Sequence, residues 1–131
     1  MSEIRESGED YLEAMLQLED EHQEIRSVDV ANKMNVSRPS VNKAVTVLKE
    51  AGMVLQEPYG NIYLTDKGRQ RAQEVYNRHS TLRRFLTNVL KIEPEIAEKD
   101  ACRMEHIISE ETFQGIKSML YEYEKSQRAK A

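Results

Sequence analysis

Three residues in the last third of the chain combine metal-binding side chains with helical spacing. Cys102, Glu105 and His106 stand at i, i+3 and i+4 of a run, residues 100–109, that predicts a helix, so they share one face. A thiolate, a carboxylate and an imidazole need only a fourth group to complete a divalent-metal site. Asp10 is a candidate for that fourth ligand. The spacing therefore predicts a metal site on this helix.

Two other predicted helices carry further candidate ligands. Asp10 and Glu13 lie in the first, and His79 lies in the long middle helix, which makes six candidate ligands on three helices. A metal ion bound by all of them would clamp distant segments together. A packing role stays open at this point, because a single helical cysteine is usually a small buried hydrophobe, a lone histidine a core residue and a glutamate a solvated charge.

Composition indicates a small, mostly helical protein. Of 131 residues 39% are hydrophobic and 6% aromatic, with no Trp, five Gly and three Pro, which is too weak a turn and β signature for a sandwich or barrel. The single cysteine excludes an internal disulfide. No apolar run approaches the roughly 18 residues of a membrane span or the core of a signal peptide. We therefore expect a cytoplasmic protein without a membrane partner.

The charge distribution favours nucleic acid as a partner more than the net charge of -4 does. Residues 1–25 carry one basic and nine acidic side chains, residues 26–71 eight and four, and residues 72–131 ten and ten. A basic middle segment in an acidic chain is typical of a phosphate-facing module, although eight basic residues could also form an ordinary solvated surface.

Helix caps, apolar periodicity and turn residues predict a winged helix-turn-helix, followed by a helical domain. We place the DNA-binding domain at residues 1–71 and the helical metal-binding and dimerisation domain at residues 72–131. The fold class is mainly α. In the first domain the predicted elements are a helix over residues 9–21, a short helix capped by Ser27, a helix capped by Ser37 and ended by Gly52, and strands over residues 53–57 and 61–64. A long helix capped by Thr65 follows and ends near Lys91. The next helix runs from Pro94 to about Ile108, and a last helix begins at Ser109, with a polar tail that frays after Glu124.

Polar and basic residues cluster at the start of the second helix of the predicted helix-turn-helix, where such motifs meet base edges and phosphates. Further candidate contacts lie beside the preceding short helix and at the tip of the predicted hairpin, which forms the wing. A winged helix used only to bind proteins is the alternative, with these residues as its solvated face. The candidate DNA contacts are Arg26, Ser37, Arg38, Pro39, Ser40, Asn42, Lys43, Tyr59 and Asn61.

Five segments resemble the family of metal-dependent repressors that includes the diphtheria toxin repressor and the manganese transport regulator. The resemblance runs from about Ser7 to Glu124 and is to the short form, which lacks an SH3-like domain. The segment at residues 100–106 is the most specific. The segments are Glu9-Asp10-Tyr11-Leu12-Glu13, Val36-Ser37-Arg38-Pro39-Ser40-Val41, Leu64-Thr65-Asp66-Lys67-Gly68, Arg78-His79 and Asp100-Ala101-Cys102-Arg103-Met104-Glu105-His106.

The resemblance implies two metal sites. The principal site would use Asp10, Cys102, Glu105 and His106, and a second site near His79 could recruit Glu13 and share Glu105. Asp10 and Glu13 resemble the manganese-responsive branch, whereas Cys102 resembles the iron-responsive branch. The implied ion is Fe2+ or Mn2+, with a slight preference for Fe2+ because a thiolate is a soft ligand; other divalent transition metals could substitute.

The second site departs from the iron-responsive pattern at two positions. That branch has a glutamate where Arg83 stands and a histidine where Glu98 stands. Glu98 is therefore a candidate ligand in place of that histidine. Alternatively, Arg83 could pair with Glu98 and replace a second cation by a fixed positive charge.

These observations lead to one hypothesis and three alternatives. The hypothesis is a homodimer, joined by the helices after residue 72, that binds double-stranded operator DNA as a repressor when metal is bound. A metal-independent winged-helix regulator and a metal buffer are two alternatives. An enzyme with Cys102 as nucleophile beside His106 is the third, but no orienting group, oxyanion-hole loop or Gly-rich phosphate motif accompanies that pair.

Overall fold

The computed structural model describes residues 6–22, 24–58 and 60–130. Within them it has six α-helices, a two-stranded antiparallel hairpin and a short π-helical segment, so the prediction of a mainly α fold is confirmed. The chain divides into two compact units between Val75 and Tyr76, inside the fourth helix, whereas the sequence boundary was placed between residues 71 and 72. Each unit has its own hydrophobic core.

The first unit is a winged helix-turn-helix, as predicted. Three helices precede an antiparallel hairpin, in which Val54 pairs with Leu64 and Gln56 with Ile62. A third element, Ile25, forms a bridge to Ile62. The elements are α1 (Glu6–His22), α2 (Ser27–Met34), α3 (Arg38–Glu50), β1 (Val54–Gln56), β2 (Ile62–Leu64) and the first part of α4 (Asp66–Arg84).

Two of the predicted local signals of α2 and α3 are confirmed and one is wrong. Ser37 caps α3, because its side chain accepts a hydrogen bond from the backbone N–H of Ser40 at 3.2 Å. Gly52 follows the end of α3 with φ +76°, a conformation that favours glycine. Ser27 is not a cap: it is the first residue of α2, preceded by an extended Arg26 that makes no side-chain capping bond.

The core of the first unit joins α1 to the helix-turn-helix and the hairpin. The apolar face of α1 contributes Leu12 and Met15, which are completely buried, and they share one cluster with Val41 and Leu48 of α3 and with Ile62 of β2. Burial of each such side chain contributes about 1.5–3 kcal/mol. The position of α1 is therefore determined by the same core that supports α3.

Two arginine–carboxylate pairs also link α1 to α4 within this unit. Arg69 forms a forked pair with Glu19, with nitrogen–oxygen distances of 3.0 and 2.8 Å. Arg71 contacts one carboxylate oxygen of Glu9 through two nitrogens, at 2.9 and 2.8 Å. Planar arginine forks of this kind add directional hydrogen bonds to the charge attraction. They hold α1 against α4 at two points along its length.

The start of α4 is fastened to the turn that follows α3. The Thr65 hydroxyl donates to the carbonyl of Gly52 at 2.7 Å and accepts from the backbone N–H of Gly68 at 3.0 Å, so Thr65 caps α4 as predicted. Lys67 donates to the carbonyl of Ala51 at 3.1 Å. A Cβ atom at Gly68 would overlap the carbonyl oxygen of Met53 and lie 2.8 Å from its carbonyl carbon. Only glycine fits this close backbone approach.

We expect Gly68→Ala to destabilise the first unit by roughly 3 kcal/mol, the upper end of ordinary overpacking penalties, because the obstructing atoms belong to backbone. Gly115→Ala is the matched control, since a Cβ there meets nothing within 4 Å. In a helix this control should stabilise by up to about 1 kcal/mol. Chemical denaturation followed by circular dichroism measures both. Equal stability of the two variants would contradict the packing at Gly68.

The second unit is helical. After Arg84 the chain continues as the π-helical segment Phe85–Val89, then α5 (Pro94–Ile107) and α6 (Glu110–Lys130). Ser109 caps α6 by accepting from the backbone N–H of Thr112 at 3.1 Å, as predicted. The predicted fraying after Glu124 is wrong, because α6 continues to Lys130. The core contains Leu82, Leu86, Ala97, Ala101 and Phe113.

The polar second half of α6 contacts the end of α4 and the turn that follows the π-helical segment. Arg84 pairs with Glu124 at 3.4 Å, and Lys91 donates to the Tyr123 hydroxyl at 3.0 Å. These contacts explain why the tail remains helical. None of the helices in the described part of the chain is both long and apolar enough to cross a bilayer.

Candidate metal centre and DNA-binding face

One face of α5 is buried, and a candidate metal ligand lies on it. Ala97 and Ala101 are fully buried, and their small side chains allow close helix packing. Glu105 is the next residue of this i, i+4 series and is 4% exposed. Cys102, on the adjacent stripe, is half-buried. A carboxylate in such a position is costly unless positive charge or hydrogen bonds compensate it, so burial of Glu105 is the outstanding electrostatic feature of this unit.

Histidines flank the Glu105 carboxylate. The Nδ1 atom of His79, on α4, lies 3.3 Å from Glu105 Oε2, and the Nε2 atom of His106 lies 3.3 Å from Glu105 Oε1. Ligand atoms of His79, Cys102 and Glu105 all lie within 4.8 Å of one another. Bond lengths of about 2.0–2.3 Å mean that any two ligand atoms of one ion lie at most about 4–4.6 Å apart. The three side chains therefore have nearly the spacing that a bound ion requires.

The chemistry of this cluster fits a divalent transition-metal ion. It offers an imidazole nitrogen, a thiol sulfur and a carboxylate oxygen, a mixed donor set that suits borderline ions better than Ca2+ or Mg2+. The carboxylate is buried, so a cation would compensate its charge. The structure thus joins His79 to the Cys102–Glu105 face, which the helical spacing alone could not do.

The remaining candidate ligands have different surroundings. Asp10 and Glu13 lie on α1 in the first unit and are partly buried. Glu98 lies on α5, and its Oε2 atom is 2.7 Å from Nε2 of His79. The same oxygen is 3.9 Å from a guanidinium nitrogen of Arg83, so the ion pair considered from the sequence is present.

Arg78 braces the end of α5, a role that the sequence did not indicate. Its Nε donates to the backbone carbonyl of Glu105 at 3.2 Å, and its NH1 pairs with Glu110 at 2.9 Å. The guanidinium also lies over the ring of Phe113, 4.5 Å from the centroid. A hydrogen bond from Gln114 and the charge of Arg78 lower the pKa of the Glu110 carboxyl. Arg78 thus ties the backbone of a candidate ligand to the start of α6.

One groove of the first unit brings together the start of α2, the start of α3 and the wing. Of the sequence-predicted contacts, Arg26, Arg38, Asn42 and Asn61 line it. Sequence reasoning missed Gln56, whose side-chain amide donates to the carbonyl of Gly60 at 3.4 Å. The groove-lining residues are Arg26, Ser27, Val28, Arg38, Asn42, Gln56, Gly60 and Asn61.

The other predicted DNA contacts lie on the exposed surface of α3 or at its cap. The hydroxyls of Ser37 and Ser40 are 2.9 Å apart and hydrogen-bonded, which orders the first turn of the helix. Pro39 and Lys43 are exposed on α3. Tyr59, predicted at the wing tip, lies outside the described residues.

A winged helix with a basic groove, followed by a helical unit with a buried histidine–carboxylate–thiol cluster, defines a DNA-binding protein with a candidate metal centre. Residues 3–62 match the family model of the iron dependent repressor N-terminal DNA binding domain. Residues 65–130 match that of the iron dependent repressor metal binding and dimerisation domain. The chain therefore belongs to the iron-dependent repressor family, which confirms the resemblance seen in its sequence segments.

Relatives include both manganese and iron regulators. The transcriptional regulator MntR of Escherichia coli O6:H1 is 42% identical over 108 residues, covering 82% of this chain and 69% of MntR. The iron-dependent repressor IdeR of Mycobacterium tuberculosis is 30% identical over 111 residues, covering 85% of this chain and 48% of IdeR. Both are regulators and not enzymes, in agreement with the prediction that this chain is no enzyme.

Solved structures of manganese regulators share the fold. The manganese regulator SloR superposes with a TM-score of 0.77 and 29% identity, over 87% of this chain and 53% of SloR. A manganese-dependent transcriptional repressor in complex with manganese gives a TM-score of 0.77 and 26% identity, over 86% of this chain and 52% of that protein. The chain thus spans about half the length of these structures.

Proposed function

We propose that this protein is a divalent-metal-dependent DNA-binding transcriptional regulator that represses iron or manganese homeostasis genes. The observation that carries the proposal is the buried Glu105 carboxylate, which lies 3.3 Å from a nitrogen of each of two histidines and shares a cluster with Cys102. Structural packing alone does not require a thiol, two imidazoles and a buried carboxylate at one place, whereas these are the groups that bind a transition-metal ion.

The proposed ligands extend beyond this cluster. We assign Cys102, Glu105 and His106 to the principal site, with Asp10 as their partner from α1. His79 and Glu13 belong to the second site, which shares Glu105. The basis for including Asp10 and Glu13 is the family resemblance of the segment in which they lie.

The proposed switch rests on charge repulsion. The carboxylates of Asp10, Glu13 and Glu105 repel one another when they are brought together without a cation, and a thiolate at Cys102 would add to this repulsion. A bound divalent ion supplies the compensating positive charge. Because the gathered arrangement is then favoured, the population shifts towards the DNA-binding state, and operator DNA must tighten metal binding by the same factor. Such couplings are typically about 1–3 kcal/mol.

The ligand chemistry favours Fe2+ slightly over Mn2+. The Cys102 thiolate is a softer ligand than the carboxylates and suits Fe2+. Asp10 and Glu13 resemble the manganese-responsive branch and keep Mn2+ as the second candidate. The related proteins are named for both metals, since SloR is a manganese regulator and IdeR an iron-dependent repressor.

We further propose that the active form is a homodimer that binds a palindromic operator. The domains would be residues 1–71 for DNA binding and residues 72–131 for metal binding and dimerisation. Large apolar side chains exposed in the second unit support an interface there, because burial of such groups drives association. They are Tyr76, Leu90, Ile96, Ile107, Met119 and Tyr121.

Anaerobic fluorescence anisotropy tests the proposal. Labelled DNA from upstream of this protein's own gene is titrated with protein in Fe2+, Mn2+ or chelator at constant salt, because salt alone changes affinity strongly. We expect tighter binding with metal by roughly 5–150-fold, the range of typical couplings. Tight binding that ignores the chelator would instead support a metal-independent regulator. Metal binding without affinity for any DNA tested, including a library of random duplexes, would support a metal buffer.

A further inference from the structure

His79 has a carboxylate at each of its two ring nitrogens. Nε2 lies 2.7 Å from Oε2 of Glu98, and Nδ1 lies 3.3 Å from Oε2 of Glu105. The histidine side chain is 9% exposed, so its ring is held by packing in an orientation that points the two nitrogens at different acids.

The two carboxylates differ in their surroundings. The Glu105 side chain is 1% exposed and belongs to the cluster with Cys102. The Glu98 side chain is 51% exposed and contributes no atom to the cluster that His79, Cys102 and Glu105 form. The inner carboxylate therefore has the position of a ligand, and the outer one has the position of a partner for the ring.

A neutral imidazole has one N–H and one lone pair, so it can donate from one nitrogen and bind a cation through the other. Histidines that bind metals commonly donate their second N–H to a carboxylate, which orients the ring and sets the tautomer. The 2.7 Å distance to Glu98 fits that hydrogen bond.

We propose that Glu98 is a positioning residue and not a metal ligand. It accepts a hydrogen bond from Nε2–H of His79 and so directs Nδ1 towards Glu105, the carboxylate that the two proposed sites share. The inference rests on the proposed metal-binding function, and it removes Glu98 from the ligand set that the sequence suggested. With its Nε2 proton held by Glu98, His79 can serve only one ion.

Arg83 forms an ion pair with Glu98, the proposed partner of His79. It lies one helical turn after His79 on α4, and its guanidinium nitrogen is 3.9 Å from the Glu98 carboxylate. Both side chains are substantially exposed, so water screens their attraction and the pair orients Glu98 more than it stabilises the fold. Its fixed charge also disfavours a second cation at Glu98.

Two substitutions at Glu98 separate a positioning role from a ligand role. Glu98→Gln keeps an oxygen that can accept from Nε2–H, whereas Glu98→Ala removes the acceptor. We expect both variants to bind the same number of Co2+ ions as the wild type, with an unchanged sulfur-to-cobalt charge-transfer band. Affinity should fall about 10–100-fold in Glu98→Ala, the usual effect of losing such a partner, and much less in Glu98→Gln. Glu95→Ala, an exposed acid on the same helix, is the control.

A second measurement reads the tautomer directly. In the Zn2+-loaded wild type, 15N-edited NMR of the His79 ring should show the proton on Nε2. A proton on Nδ1, or loss of one metal equivalent in Glu98→Gln, would overturn the inference while leaving the proposed function intact. Absence of any metal binding by the wild type would overturn both.

Discussion

Replacing Cys102 by alanine should abolish most of the metal response of operator binding while the protein remains folded. The thiol is half-buried beside His79 and Glu105, so its loss removes a proposed ligand but little core packing. We expect the stability change to stay within about 1 kcal/mol. The enhancement of DNA affinity by metal, expected at roughly 5–150-fold in the wild type, should approach unity.

Anisotropy with and without Fe2+ or Mn2+ measures this response, and thermal denaturation of the metal-free variant measures stability. Ser118→Ala, a change of similar size at an exposed position of α6, is the matched control and should retain the full response. If Cys102→Ala responded to metal as the wild type does, Cys102 would not be a ligand. If the variant were unfolded, Cys102→Ser would replace it, since serine keeps the volume but is a poor ligand for soft ions.

Replacing Arg38 by alanine should strongly lower the affinity for operator DNA. This residue lies in the groove that α2, α3 and the wing form, near the start of α3, where a guanidinium can bind both acceptors of a guanine edge. Loss of one such contact costs about 1–3 kcal/mol, so Arg38→Ala should weaken operator binding by roughly 5–150-fold. Metal binding should not change, because the residue has no part in the proposed metal centre.

Lys49→Ala is the control for Arg38→Ala, since it removes a basic side chain from the last turn of the same helix. The two variants are compared on the operator and on a scrambled duplex of equal length. A contact to bases should lower affinity for the operator more than for the scrambled DNA. Equal losses on both duplexes would make Arg38 a phosphate contact, and no loss would remove it from the DNA-binding face.

Sequence reasoning succeeded where the determining contacts are local. Ser37, Thr65 and Ser109 cap helices because each hydroxyl accepts from a backbone N–H three residues ahead, a pattern visible in the chain itself. Ser27 has the same residue type but lies inside its helix, since the extended residue is Arg26. Residue type alone does not distinguish these positions.

Non-local contacts account for most of what the sequence could not predict. The second half of α6 is polar and suggested fraying, yet Glu124 contacts Arg84 at the end of α4, and Tyr123 contacts Lys91 after the π-helical segment. Likewise, helical spacing predicted the shared face of Cys102 and Glu105, but the approach of His79 depends on how α4 packs against α5. Gln56 reached the groove only through the pairing of the hairpin strands.

The attachment of α1 has a mechanical consequence for regulation. Asp10 lies between Glu9 and Glu19 along α1, and both of those glutamates are gripped by arginines of α4. Leu12 of the same helix shares a core with Val41 of α3. The helix that carries this proposed ligand is therefore attached to α4 by two ion pairs and shares its core with α3, the proposed DNA-reading helix. A displacement of α1 at Asp10 would therefore be passed to α3 through the side chains that the two helices share in the core.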